Sequence, residues 1–255
     1  MTRHWTALPN FVDCAVFRPS ANTAEKRVLR VALGFPPDAL VVISVAALKR
    51  GHKRVDHVIK EFKAAARRDA FLVLAGAATG ETPGLLALAA GDPRIRIIQN
   101  HPHERIAELL RAADVMVLGS LFEMMPIAIL EGLASGLPVI TNDHPVMTWM
   151  TGAAAGVADH RLQTTDLNAG GASLRSEVCG LMSEVFPPLG GMAIDMSREG
   201  ALAEALDGLT PEWIAEHGRQ ARERALGMFS KDVVIRQYVE NYRRVCGGRL
   251  PVVGC

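Results

Sequence analysis

Short runs of apolar residues alternate along the chain with longer segments in which apolar residues recur every three or four positions. The runs with the length and continuity of buried strands are VVISVA (41–46), FLVLAG (71–76), IRII (95–98), VMVLG (115–119) and LPVIT (137–141). Their apolar character is continuous rather than alternating, which is typical of strands that are covered on both faces of a parallel sheet.

The segments between these runs have helical periodicity. We predict helices at 55–68, 84–90, 103–112 and 127–135, then a last strand at 191–195 and helices at 199–207, 211–227 and 231–245. Pro211 after Thr210 fits a first-turn proline behind its cap, and Ser230 fits the N-cap of the final helix. Repeated strand–helix–strand units predict an α/β fold with a doubly wound parallel sheet flanked by helices.

The rhythm of strands and helices breaks after about residue 143. Residues 151–191 are rich in Gly and Ala, which predicts an insertion at about 157–190 with one helix at 174–185. We therefore divide the chain into an interdomain-type lead-in segment at 1–20, a domain at 21–245 that contains the insertion, and a loose tail at 246–255.

The composition describes a globular chain with a proper core, because 49% of its 255 residues are hydrophobic and 22% are charged. Its 28 basic and 27 acidic side chains leave a net charge of +1, which argues against nucleic acid as a partner. No stretch approaches the roughly 18 apolar residues of a membrane span, so we expect no integral membrane segment and leave peripheral association open. The four cysteines form no C-x-x-C pair, and a reduced, cytoplasmic location is expected.

A basic cluster, KRGHKR (49–54), directly follows the first predicted strand. Ligands of open α/β sheets bind outside the carboxyl ends of the strands, so Lys49, Arg50 and Lys53 are candidates for holding a phosphate. The alternative is a solvated basic loop that opens a surface helix.

A second cluster lies in SLFEMMPIAILEGLASGLPVITND (120–143), where a strand ends and Pro126 opens a helix. The first main-chain amides of that helix have no intrahelical partners and can bind an anion or sugar hydroxyls. Glu123 precedes the helix and Glu131 lies inside it, where a carboxylate can accept hydrogen bonds from a ribose diol. The alternative is that both glutamates are surface residues of an ordinary strand–helix unit.

These segments together resemble a known family. LPNFVDCAVFRP (8–19), SVAALKRGHKRVDHVIKEF (44–62), the E-x7-E spacing from Glu123 to Glu131 with its following GLPV, and FSKDVVIRQYVENYRRV (229–245) are similar to the C-terminal, donor-binding domain of GT-B glycosyltransferases of family 4. That family is retaining and metal-independent. The resemblance implies a Rossmann-like domain, one half of a GT-B fold, that binds a UDP- or GDP-linked sugar as substrate and needs no cofactor.

The resemblance also implies roles for particular residues. Lys53 would contact the donor diphosphate, with Lys49 or Arg50 replacing a family arginine whose position falls near Ala47. Glu123 would lie near the donor sugar and, with Lys53, take part in catalysis, while Glu131 would bind the ribose. The remaining implied donor contacts are the sugar–phosphate stretch Met124, Met125, Pro126 and Ile127 and the nucleobase loop Gln99, Asn100 and His101, with no metal ligand among them.

The family places its acceptor site and a catalytic-site histidine in an N-terminal domain, which this sequence does not contain. We therefore expect donor binding but little sugar transfer by the chain alone, and a separate acceptor-binding domain or subunit, or a homodimer, to complete the site. The alternatives are a non-catalytic nucleotide-sugar-binding subunit, a truncated fragment, or a different nucleotide-sugar enzyme such as an epimerase.

Overall fold

The computed structural model describes residues 8–153 and 189–246 and contains one parallel sheet of six strands in the order β3-β2-β1-β4-β5-β6. The strands are β1 (Leu40–Val45), β2 (Ala70–Gly76), β3 (Ile95–Gln99), β4 (Val115–Leu118), β5 (Val139–Asn142) and β6 (Gly191–Ile194). This order confirms the predicted doubly wound, Rossmann-like sheet, with the predicted strand at 191–195 forming one edge.

Helices cover both faces of the sheet. They are α1 (Thr23–Leu33), α2 (Val55–Ala64), α3 (Thr82–Ala89), α4 (His103–Ala112), α5 (Ile127–Ala134), α6 (Pro145–Thr151), α7 (Ala201–Asp207), α8 (Pro211–Arg224), a π-helix (Ala225–Phe229) and α9 (Lys231–Val245). One core cluster joins the sheet to α2, α3 and α7, and a second joins its other face to α4, α5, α6 and the π-helix. No helix within residues 8–153 and 189–246 is long and apolar enough to cross a membrane.

The predicted helices at 103–112 and 231–245 have the observed bounds, whereas α2 ends at Ala64 rather than at 68. The helix stops there because Asp207 at the end of α7 accepts the main-chain N–H groups of Ala66 and Arg67, each at 2.9 Å. Those two amides are thus satisfied outside the helix.

Other helices and helix ends agree only in part with the sequence prediction. Helices α1 and α6 were not predicted, and α6 occupies the region where the pattern broke after residue 143. Ser230 does hold the N-cap position of α9, but its hydroxyl donates to the carbonyl oxygen of Leu226 at 2.9 Å instead of capping. Thr210 caps α8 as predicted, accepting from Trp213 N at 3.1 Å. The predicted helix at 174–185 lies outside the described residues.

The described part of the lead-in segment, residues 8–20, is fastened to the last helices. Val12 donates to the carbonyl oxygen of Phe229 and accepts from the amide of Lys231, both at 2.9 Å. The Arg222 guanidinium of α8 donates to the carbonyl oxygens of Phe17 (2.8 Å) and Cys14 (3.0 Å) and also to that of Ala134, the last residue of α5. The segment and α5 therefore share one cationic side chain.

The carboxyl ends of β1 and β2 approach each other at a glycine. A Cβ atom built on Gly76 would lie 1.7 Å from the carbonyl oxygen of Ala46, so any side chain there collides with backbone. The Gly76 carbonyl in turn accepts from the amide of Asn100 at 2.9 Å, which connects the loop after β3 to the same point. Both contacts lie at the carboxyl edge of the sheet, which is also the edge that carries the candidate site.

We expect Gly76→Ala to lower the free energy of unfolding by about 3 kcal/mol, because backbone cannot rotate away from the new methyl group. Gly80→Ala is the matched control: it lies in the following loop with nothing within 4 Å of its Cβ position. It should change stability by no more than about 0.5 kcal/mol. Urea denaturation followed by circular dichroism measures both, and equal stability of the two variants would contradict the close contact at Gly76.

Candidate functional site at the carboxyl edge of the sheet

A crevice is expected between the loops that follow β1 and β4. These strands are neighbours in the sheet, yet α2 packs on one face and α5 on the other. The chain therefore leaves the two strand ends in opposite directions, which is the topological switch point where open α/β sheets bind ligands.

The two loops contact each other directly. The Leu121 amide donates to the carbonyl oxygen of His52 at 2.8 Å, and the His52 and Phe122 rings stack with centroids 5.3 Å apart. Gly119 is close-packed, because a Cβ there would lie 2.8 Å from a methyl group of Val58. The basic cluster (49–54) and the loop that carries Glu123 are thus held against each other.

Lys53 and Glu123 form an ion pair that connects the two loops, between the Lys53 ammonium and Oε1 of Glu123. The two side chains are 19% and 12% exposed, so the pair is largely shielded from water. Charges in such a place interact more strongly than on an open surface. The structure thus brings together two residues that the sequence assigned to one site, although they are 70 positions apart.

Glu131, on the second turn of α5, is almost completely buried at 3% exposure. Its Oε1 lies 2.7 Å from Nε2 of His103, the first residue of α4. Burial raises the pKa of the Glu131 carboxyl above its ordinary value, and the hydrogen bond from His103 opposes that rise. The sequence prediction for this loop named His101, whereas His103 is the residue that contacts Glu131.

The amino-terminal end of α5 is held by the lead-in segment. The Asn10 main-chain amide donates to the Met125 sulfur and its side-chain amide donates to the Met125 carbonyl oxygen, both at 3.1 Å. Met124 is 91% exposed and Ile127 is 51% exposed, on either side of the capping Pro126. The predicted sugar–phosphate stretch therefore begins at an anchored turn with apolar side chains facing solvent.

Lys49 and Arg50 differ in how they are engaged. The Arg50 amide donates to Glu81 at 2.9 Å, and its guanidinium lies against Gly84 of α3, 2.7 Å from the position a Cβ would take. Arg50 is thus drawn toward α3. Lys49 makes no ion pair within the described part of the chain, which leaves its ammonium available.

The predicted nucleobase loop is built around Asn100. Asn100 adopts a left-handed conformation with φ of 52°, which asparagine tolerates better than most residues. Its side-chain oxygen accepts from the Ala78 amide at 2.9 Å, which fixes the loop. Gln99 is exposed beside it, and Nε2 of His101 is buried without a hydrogen-bond partner among the described residues.

Further polar groups line the ends of β4 and β5. Ser120 and Thr141 are fully buried, and their hydroxyl oxygens have no hydrogen-bond partner in the described ranges; the same holds for Nδ1 of His144. Burial lowers the pKa of His144, while the negative charge of Glu123 acts in the opposite direction. His144 therefore lies within electrostatic range of Glu123.

Sequence reasoning missed Asn10 and His144. It placed His103 in the nucleobase loop QNHPH (99–103), which would shape a pocket wall, but did not foresee its contact with Glu131. The available signal for His103 was its place at the start of a predicted helix that follows a strand, since that position lies on the same sheet edge as Glu131. His144 follows a predicted strand in the same way. Asn10 gave no signal of its own, because its contact with Met125 spans 115 positions of sequence.

Residues 25–155 match the family model described as glycosyl transferases group 1. The EpsF protein of Bacillus subtilis is 33% identical over 142 residues, which are 53% of this chain and 35% of EpsF.

Solved structures share the fold. HepE of Anabaena, in complex with UDP and glucose, aligns with a TM-score of 0.66 and 18% identity over 93% of this chain and 56% of its own. The C-terminal domain of a group 1 glycosyl transferase, LpcC of Francisella tularensis, aligns with a TM-score of 0.59 and 18% identity over 86% of this chain and 99% of its own.

The matched segment is about half of the sequence, and the chain belongs to the glycosyl transferases group 1 family. The fold expected from the resemblance, the C-terminal half of a GT-B enzyme, is confirmed. The chain spans about a third of EpsF and just over half of HepE.

The raised pKa of Glu131 leads to a stability prediction. A carboxyl group whose pKa is higher in the folded than in the unfolded chain destabilises the folded state where it is ionised. This cost is absent below the ordinary glutamate pKa and complete above the folded-state value. We therefore expect Glu131→Gln to have a higher free energy of unfolding than the wild type at pH 7. At about pH 3.5 the two proteins should be equally stable.

Urea denaturation of both proteins at the two pH values measures this difference. Glu104→Gln, at an exposed position in the first turn of α4, is the control and should show no comparable dependence on pH. A Glu131→Gln variant that is less stable than the wild type at pH 7 would contradict the expected sign.

Proposed function

We propose that this chain binds a nucleoside-diphosphate sugar in the crevice between the β1–α2 and β4–α5 loops and serves metal-independent glycosyl transfer with retention of configuration. The observation that carries the proposal is the shielded pair of Lys53 and Glu123 at the switch point, with the buried carboxylate of Glu131 on the adjoining helix. A cation, a helix amino terminus and a buried acceptor are the groups that a diphosphate and a ribose require.

In this proposal Lys53 binds the diphosphate. Its ammonium has three donors, so it can keep Glu123 as a partner while it donates to phosphate oxygens. The first amides of α5 add further positive potential. Charge that develops on the leaving diphosphate as the glycosyl bond breaks would be stabilised by these groups, and this is the largest electrostatic task of the reaction.

Glu123 and Glu131 have different roles because their surroundings differ. Glu123 is held by Lys53 at the mouth of the crevice, which suits contact with the sugar. Glu131 presents a buried carboxylate to the ribose hydroxyls. The UDP in the HepE structure supports a uridine donor, and the acceptor would be bound by a further domain or a separate subunit.

The chain should bind a nucleoside diphosphate, and Lys53→Met should weaken that affinity by about tenfold or more. Glu131→Ala should also weaken it by more than about fivefold, because hydrogen bonds to charged groups contribute about 1.5–3 kcal/mol. Calorimetric titration with UDP, GDP and ADP measures these affinities.

Lys60→Met is the matched control, since Lys60 lies on α2, directly after the basic cluster, but its side chain is 63% exposed and forms an ion pair with Asp56. It should leave the affinity unchanged. If none of the three nucleotides binds the wild type, or if both site variants bind as the wild type does, the proposed site is wrong.

Magnesium or manganese should not increase donor affinity. The sequence has no Asp-x-Asp pair, and the described residues contain no group of three or more side chains that could hold a metal ion. Titrations with either cation and with EDTA test this expectation. A tenfold rise in affinity with metal that EDTA reverses would overturn the metal-independent assignment.

A further inference from the structure

His103 covers the buried carboxylate of Glu131. Nε2 of His103 lies 2.7 Å from Oε1, and the two side chains differ sharply in exposure, at 68% for His103 and 4% for Glu131. Within residues 8–153 and 189–246, the hydrogen bond of the Glu131 carboxylate is the one at Oε1, and Oε2 makes none. One carboxylate oxygen is therefore engaged and the other remains open to a ligand.

The imidazole is itself held in place by the lead-in segment. Its ring contacts that of Phe17, with centroids 5.8 Å apart. Phe17 is 5% exposed, and its carbonyl oxygen accepts from Arg222. His103 thus lies against a fixed wall, so its bond to Glu131 has a defined direction.

No other charged group of the described chain takes this role. Helix α6, the π-helix and β5, which all pack against α5, carry no ionisable side chain. Of the arginines on α4 and α8, Arg105 pairs with Glu108 and Arg111 with Glu25, whereas Arg222 and Arg224 donate to the carbonyl oxygens of Ala134 and Met150. Burial raises the pKa of Glu131, and His103 is the group that opposes the rise.

We propose that His103 is a positioning residue for nucleotide binding, whose Nε2–H fixes the Glu131 carboxylate so that Oε2 meets the ribose hydroxyls. This inference rests on the proposed function, because it takes the ribose as the ligand of Glu131. His103 does not touch the nucleotide in this arrangement; it acts through Glu131.

Calorimetric titration between pH 5 and pH 8, with whichever of UDP, GDP and ADP binds the wild type, tests the role. His103→Ala should weaken binding about tenfold at pH 7. Affinity should fall on acidification as Glu131 becomes protonated, and this fall should begin at higher pH in His103→Ala, because the ionised carboxylate has lost its donor.

His103→Gln is the conservative variant and should restore most of the affinity and the wild-type pH profile, since its side-chain amide can donate to the same oxygen. Glu104→Ala, one residue along the same helix turn, should behave as the wild type. Carboxyl carbon NMR of the nucleotide-free chain provides a second readout, in which the pKa of Glu131 should be higher in His103→Ala than in the wild type.

The outcomes separate the two proposals. Failure of all three nucleotides to bind the wild type, or unchanged binding by Glu131→Ala, would reject the nucleotide site and with it the role of His103. A second outcome would reject the positioning role alone. In it, the wild type binds a nucleotide, Glu131→Ala does not, and His103→Ala has the same pH dependence of affinity as the wild type. An equal loss of nucleotide affinity in His103→Ala and His103→Gln would also reject the positioning role, because a hydrogen-bond donor at this position would then not restore binding.

Discussion

The candidate site depends on one constraint, the reversal of winding between β1 and β4. Two adjacent parallel strands send their connections to opposite faces of the sheet, so a gap must open where the loops part. The position of the gap follows from strand order alone. Side chains such as Lys53 and Glu123 give that gap its chemistry, which the fold alone does not determine.

Much of this arrangement could be predicted because it is local. Continuous apolar runs indicate buried parallel strands, and residues that follow such strands must meet at one edge. The α1 helix escaped prediction for a physical reason: it buries Arg30, which is 5% exposed, and leaves Val28 and Val31 exposed at 70% and 66%. The His103–Glu131 bond depends on how α4 and α5 pack, and no sequence period carries that information.

The carboxyl edge of the sheet also carries an energetic cost. Glu131 is buried, and the hydroxyl oxygens of Ser120 and Thr141 are buried without hydrogen-bond partners in the described chain. Unsatisfied polar groups of this kind destabilise a fold unless something else supplies their hydrogen bonds. Buried polar groups at the carboxyl ends of β4 and β5 are typical of a surface that is shaped for a ligand rather than for stability.

The attachment of the lead-in segment has a mechanical consequence. The segment contacts α5 at both ends, through Asn10 at Met125 and through the Arg222 guanidinium shared by Phe17 and Ala134. Because both ends of this short helix are held, its first and last turns should unfold together rather than separately. Main-chain amides of α5 should therefore exchange with solvent in a single local unfolding event that opens the whole helix.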